Sequence, residues 1–181
     1  APSRGLGDVY KRQIERFTDY QMDMVRLGIG LYGVSASGQK GLRNISTLKT
    51  TILQIQNVPA GDSIGYSRMS YVKRDSRIAI IPIGYADGLD RHFSNGGGEV
   101  VINGHRCPII GNICMDACMI DVTDTDAHEG DSVIIFGEEL PVSELSDKLK
   151  TIPYEILTSI SPRVKRVYYR AVSYTHLRAH E

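Results

Sequence analysis

Three absences narrow the possibilities before any motif is read. No apolar run in the 181 residues approaches the length needed to cross a bilayer, and no stretch has the make-up of a secretory signal. Neither sign of charge is in excess: Lys+Arg and Asp+Glu each total 21. That balance argues against nucleic-acid and membrane partners, both of which need clustered positive charge. Cysteine is scarce and odd in number. Cys107, Cys114 and Cys118 form no C-x-x-C pair, and His92 and His105 lack ligand-like spacing. Reduced, buried thiols, no metal site and a cytoplasmic location are therefore expected. The acidic stretch DVTDTDAHEGD (121–131) lacks the D-x-D-x-D-G order of a calcium loop and reads as a solvated turn. What is present is an ordinary hydrophobic content of 41%, enough for the packed core of one good-sized domain.

The two ends stand apart from the rest. APSRGLGDVYKRQ (1–13) and AVSYTHLRAHE (171–181) lack apolar periodicity and join abruptly to well-patterned sequence. They read as non-native, adapter-like segments and are set aside; the plainer alternative is ordinary disordered termini. The patterned part, 14–170, is mildly acidic and is expected to be a piece of a longer protein.

Strand signals dominate that part. MVRLGIGLYG (24–33) is an apolar run broken by Gly28, Gly30 and Gly33, with Arg26 inside it. It reads as a buried strand and then a loop whose backbone N–H groups approach something closely. Residues 34–46 read as a linker. TTILQIQNV (50–58) alternates, while RIAIIPIG (77–84) is almost continuously apolar and should be buried on both faces. EVVINGHRCPII (99–110) holds Asn103-Gly104 between apolar flanks, a strong hairpin signal. ICMDACMIDV (113–122), DSVIIF (131–136) and RVKRVYY (163–169) are further expected strands. Val142–Leu149 reads as a helix with Ser143 as its cap. There is no internal repeat. The expected fold class is mainly β, an antiparallel barrel-like domain with one or two short helices.

Four stretches carry chemistry together: MVRLGIGLYG, GDSIGYSR (61–68), IPIGYADGLDR (81–91) and GNICMDACMIDVT (111–123). Taken singly, GDSIGYSR would be a turn with a packing tyrosine and ICMDACMI a core strand. In this order and spacing the four resemble the C-terminal part of bacterial alanine racemases, over nearly all of 14–170. The resemblance implies a remnant of an N-terminal (β/α)8 barrel at 14–41 and the C-terminal β domain at 42–170. It implies pyridoxal 5′-phosphate as cofactor, alanine as substrate, D-alanine for peptidoglycan as the product's use, and a homodimer with shared active sites.

The resemblance also distributes roles. Racemisation at an α-carbon needs a base on each face. The family uses a lysine that also holds the cofactor, and a tyrosine, to which Tyr66 corresponds. An unperturbed phenol, with a pKa of about 10, is a poor base at neutral pH, so nearby positive charge must favour its ionised form. Arg26 matches the arginine that faces the pyridine nitrogen; an arginine keeps its proton, so it donates a hydrogen bond without protonating the ring. Gly28 and Ile29 match positions whose backbone N–H groups hold the cofactor phosphate. Tyr85, Arg91, Met115 and Asp116 match residues that line the route to the site, and Met115 also offers a backbone N–H to the substrate carboxylate.

Departures accompany these matches. The family's lysine is not in this chain, so the chain by itself is expected to be inactive. The tyrosine of a family S-Y-R-V sequence, associated with the phosphate, is Pro162 here, so that contact is lost or supplied from elsewhere. An arginine two residues before the family's cysteine is Asn112. Alternatives are another amino-acid racemase of the same plan, acting on serine, lysine or a broader set, and a non-catalytic β-barrel interaction module. Barrel-type amino-acid decarboxylases share the two-domain plan but align less well.

Overall fold

Pairing, more than any single strand, decides the shape of this chain. The computed structural model describes residues 28–35, 41–65 and 70–169, and the expectations for 1–13, 171–181, Arg26 and Tyr66 lie outside them. Among the described residues the strands are Leu48–Thr51 (β1), Gln54–Val58 (β2), Ser63–Ile64 (β3), Ser70–Tyr71 (β4), Ser76–Ile81 (β5), Glu99–Ile102 (β6), His105–Ile110 (β7), Cys118–Asp121 (β8) and Ser132–Phe136 (β9). Two helices follow, Val142–Leu149 (α1) and Pro153–Ser159 (α2). None of the described helices is long and apolar enough to cross a membrane.

Seven strands form one antiparallel sheet in the order β1-β9-β6-β7-β8-β5-β2. β1 and β2 are neighbours in the chain yet lie at opposite ends of that order, separated only by Ile52 and Leu53. The three residue steps from Thr51 to Gln54 span at most about 11 Å, so the sheet has to curl until its edges meet. The hydrogen bonds make the crossing visible. Ile52 N–H donates to the Asp131 carbonyl at 3.0 Å, Gly130 N–H returns to the Ile52 carbonyl at 2.9 Å, and Leu53 N–H already reaches Ile80 at 2.9 Å. The alternating stretch 50–58 is thus not one strand but a change of partner. The result is the curled, barrel-like antiparallel architecture that the sequence implied.

Inside the curl, Ile81, Val100, Ile102, Ile109, Ile120 and Val133 are fully buried. Each such side chain contributes about 1.5–3 kcal/mol relative to exposure. β5 is buried on both faces, as its apolar run predicts. Ala79 and Ile81 join the main core, while Ile78 packs with Ile64 and Val72 in a second cluster. The β6–β7 turn also follows the sequence: Asn103 and Gly104 adopt φ of 49° and 77°, the pair of positive angles that lets a two-residue turn match strand twist.

Three expectations need correction. Within 113–122 only Cys118–Asp121 is strand, because the Cys114 and Met115 carbonyls are taken by Tyr85 and Ala86 N–H groups, both at 3.0 Å. No strand forms over 163–169; Arg166 folds back onto the carbonyls of Ile160, Ser161 and Val164 instead. α1 has the expected bounds, but Pro141 occupies the cap position, and Ser143 lies inside the helix with its carbonyl accepting from Ser146 Oγ at 2.8 Å. α2 is the second of the one or two short helices expected, but its place was not given, although Pro153 stands at its first turn, where proline fits a helix start.

Two measurements check this core. A Cβ at Gly104 would meet nothing within 4 Å, so Gly104→Ala incurs only the positive-φ penalty; denaturant unfolding should record a loss of about 1–2 kcal/mol. Burial pushes the Cys118 thiol up to about 12 and the Cys107 thiol up to about 11, from 9.0. The folded chain keeps these protons where the unfolded chain releases them, so stability falls as pH rises from about 9 through those values. At pH 8 a thiol alkylator should modify half-buried Cys114 first and reach Cys107 and Cys118 only after denaturant is added.

Candidate active site

The GYADG motif makes a tight turn. Tyr85–Asp87 is a single 3-10 turn between Gly84, which is extended, and Gly88, whose φ of 108° favours glycine. Gly84 is required for space rather than for its angles: a Cβ there would lie 2.3 Å from the Cys114 carbonyl oxygen and 2.4 Å from that of Met115. The turn's own carboxylate closes it, since Gly84 N–H donates to Asp87 Oδ2 at 2.9 Å. Asp87 is buried. Burial pushes its carboxyl up, but the hydrogen bonds from Arg163 and from Gly84 N–H outweigh this and hold it below the ordinary value.

Against this turn lies the ICMD turn. Tyr85 N–H and Ala86 N–H donate to the carbonyls of Cys114 and Met115, so two motifs about thirty residues apart share a backbone seam. Both Tyr85 and Met115 are exposed here. The Arg91 guanidinium sits 5.9 Å from the Tyr85 ring centroid, a cation–π distance. Asp90 holds the start of the Arg91 turn by accepting from His92 N–H at 2.8 Å. Tyr85 and Arg91 line a cleft of about 530 Å³ together with Thr151 and Glu155. Asp116 is engaged by Arg163, whose Nε also donates to Asp87 Oδ1 at 2.6 Å. Tyr85, Arg91, Met115 and Asp116 therefore lie around one junction.

Gly28 and Ile29 open a 3-10 turn, Gly28–Tyr32, and not a strand. Gly28 has φ of 55°. Ile29 is buried, and its N–H donates to the Tyr154 hydroxyl at 2.7 Å. Tyr154, on α2, was missed by sequence reasoning, as was Arg163; the helix that presents the first had gone unread, and the second was assigned to a strand. The far end of α2 meets the GYADG turn, with Ser159 Oγ donating to the Gly88 carbonyl at 3.2 Å and Ser161 N–H to that of Asp87 at 3.0 Å.

Tyr66 and Arg26 lie outside the described residues, but the base of the tyrosine's segment is defined. β3 and β4 pair antiparallel on either side of 65–69, with Ile64 opposite Ser70. Gly65 has φ of 73°, and a Cβ there would lie 2.8 Å from the Met119 methyl. An apolar cavity of about 310 Å³ adjoins it, lined by Ile80, Cys114, Ala117, Cys118 and Met119. Ser70 Oγ donates to Asn95 Oδ1 at 2.6 Å, and Asn95 Nδ2 donates to Asn112 Oδ1 at 3.1 Å. Asn112, where the family resemblance implied arginine, thus serves a neutral hydrogen-bonded chain.

The donor set at Ile29 suits a phosphate. The Ile29 amide and the Tyr154 hydroxyl are both uncharged donors, the kind that suits a dianion, and in this structure the amide donates to that hydroxyl. Among the described residues, no group of three His, Cys, Asp or Glu side chains is placed to hold a metal.

Comparison with known proteins agrees with this arrangement. A family profile described as "Alanine racemase, C-terminal domain" matches residues 45–168. "Alanine racemase 2" of Caldanaerobacter subterraneus subsp. tengcongensis is 46% identical over 156 residues, covering 81% of this chain and 40% of the relative. Among solved structures, an alanine racemase from Bartonella henselae with covalently bound pyridoxal phosphate superposes with a TM-score of 0.75 at 41% identity, over 78% of this chain and 40% of that one. One from Bacillus anthracis with bound L-Ala-P gives 0.74 at 36% identity, over 79% and 39%. The chain spans about 40% of the length of the curated relatives it matches. With two motifs seamed at one junction and a match running from residue 45 to residue 168, this chain belongs to the alanine racemase family, as its C-terminal domain.

Proposed function

We propose that the protein carrying this chain is a pyridoxal-phosphate-dependent alanine racemase that interconverts L- and D-alanine by two-base proton transfer. The observation that carries this reading is the seam between the GYADG and ICMD turns, which collects Tyr85, Arg91, Met115 and Asp116 at one place. The Bartonella relative's bound pyridoxal phosphate and the Bacillus relative's bound L-Ala-P support the cofactor and the substrate class. The domain boundaries follow the same reading: 14–41 ends the cofactor barrel and 42–170 is the β domain, in keeping with the profile match over 45–168.

Pyridoxal phosphate, when bound, supplies an electron sink that acidifies the α-hydrogen of an amino acid. The residues of this chain do the rest of the work assigned to them. Gly28 and Ile29 N–H groups would hold the phosphate, the Ile29 N–H turning to it from the Tyr154 hydroxyl that it meets here at 2.7 Å, and Tyr154 would supply the contact not made from position 162. Arg26 donates a hydrogen bond toward the ring nitrogen while keeping its own proton. The Met115 N–H orients the substrate carboxylate. The Tyr66 phenol oxygen takes or returns the α-proton on one face, while the partner base, a lysine elsewhere in the protein, serves the other. Tyr85 and Arg91 narrow the approach and favour a small, carboxylate-bearing substrate. The reading extends to a homodimer in which the Tyr66 of one subunit serves the cofactor of the other, and to a cytoplasmic role in supplying D-alanine for peptidoglycan.

Tyr66→Phe in the full-length protein tests this. Racemisation should fall by about 10²–10⁴-fold, the range for losing a positioned acid–base group. The loss should be one-sided: solvent deuterium should still enter the α-position of one enantiomer while conversion to the other stops. Unchanged turnover in both directions would remove Tyr66 from the chemistry and favour a β-barrel interaction module.

A further inference from the structure

Arg163 lies outside every motif that carried the family assignment, yet it touches two of them. Its Nε donates to Asp87 Oδ1 at 2.6 Å and its Nη2 reaches Asp116 Oδ1. One guanidinium thus joins the aspartate of GYADG to the aspartate of ICMD, residues 76 and 47 positions away in sequence. The bridge spans the same junction at which Tyr85 and Ala86 N–H groups donate to Cys114 and Met115. Its own backbone is moored there too. Ser161 N–H donates to the Asp87 carbonyl, and Val164 N–H closes a turn onto Ser161.

Resting on the racemase reading, we infer that Arg163 is a positioning residue: it locks the Cys114–Met115–Asp116 turn against the Tyr85 turn and so aims the Met115 N–H at the substrate carboxylate. Arginine suits the task because its planar fork can donate in two directions at once, toward two carboxylates on different turns. A lysine ammonium, a point charge on a flexible stem, keeps the charge but loses the fork. Asp87 adds stringency. Its carboxylate is buried and its other oxygen is already committed to Gly84 N–H. Without Arg163 the buried charge is undercompensated and the turn has to open.

The functional consequence follows from where the contact acts. A carboxylate anchor is present both before and during proton transfer, so weakening it raises KM and leaves kcat nearly unchanged. The Ser70–Asn95 hydrogen bond fastens a different element, the β3–β4 pair.

Arg163→Gln and Arg163→Lys test the inference in two settings. In the 181-residue chain, hydrogen exchange at the Tyr85 and Ala86 amides should quicken by about tenfold or more in Arg163→Gln, as expected of a local opening, and by less in Arg163→Lys. Amides of the β6–β7 hairpin should keep their protection. In the full-length protein, Arg163→Gln should raise KM for alanine about tenfold with kcat within about twofold, and Arg163→Lys should recover part of the loss. Unchanged exchange at Tyr85 and Ala86 overturns the clamp. Protection lost everywhere, or a kcat loss at constant KM, overturns the positioning role. A wild-type protein that does not racemise alanine overturns the function proposed above, while the exchange measurement still decides the clamp on its own.

Discussion

A carboxylate taken out of water must find donors, and Asp87 finds them on two sides. Gly84 N–H satisfies one oxygen and Arg163 Nε the other. Removing a charge from solvent costs far more than a hydrogen bond returns unless the partners are already in place. The GYADG turn, the ICMD turn and the segment after α2 are therefore mutually dependent. None could shift without leaving a buried oxygen unmatched or pressing Gly84 against the Cys114 and Met115 carbonyls.

α2 extends that dependence across the molecule. At its start the Tyr154 hydroxyl meets the Ile29 N–H. At its end Ser159 and Gly88 are so close that a Cβ on Gly88 would lie 2.5 Å from the Ser159 carbonyl oxygen. A helix of seven residues thus touches both the Gly28–Tyr32 turn and the GYADG turn. This is how residues far apart in sequence come to share one side of a domain whose sheet alone does not join them.

How much of this could be read from the residues depended on range. Short-range chemistry was legible: Asn103-Gly104 fixed a hairpin, and the apolar run around Ile78–Ile81 announced a strand buried on both faces. The motif spacing identified the family. Long-range competition was not legible. Residues 113–117 have strand composition, but their carbonyls are claimed by another turn. Residues 163–169 alternate like a strand, yet Arg163 and Arg166 spend their side chains on carboxylates and carbonyls. Tyr154 escaped because α2 is short and its one local signal, Pro153 at the first turn, was not used. Ser143 has the right chemistry for a cap but stands two positions late.

The partner change at Ile52 and Leu53 bears on how this domain behaves when concentrated. Strand ends that pair with nothing can recruit strands from other molecules and start aggregates. Here the terminal strands of the sheet, β1 and β2, are only four and five residues long and are halves of one crossing segment. Such short rims offer a poor template. A domain separated from the rest of its protein would for that reason resist the sheet-to-sheet association that open β structures invite.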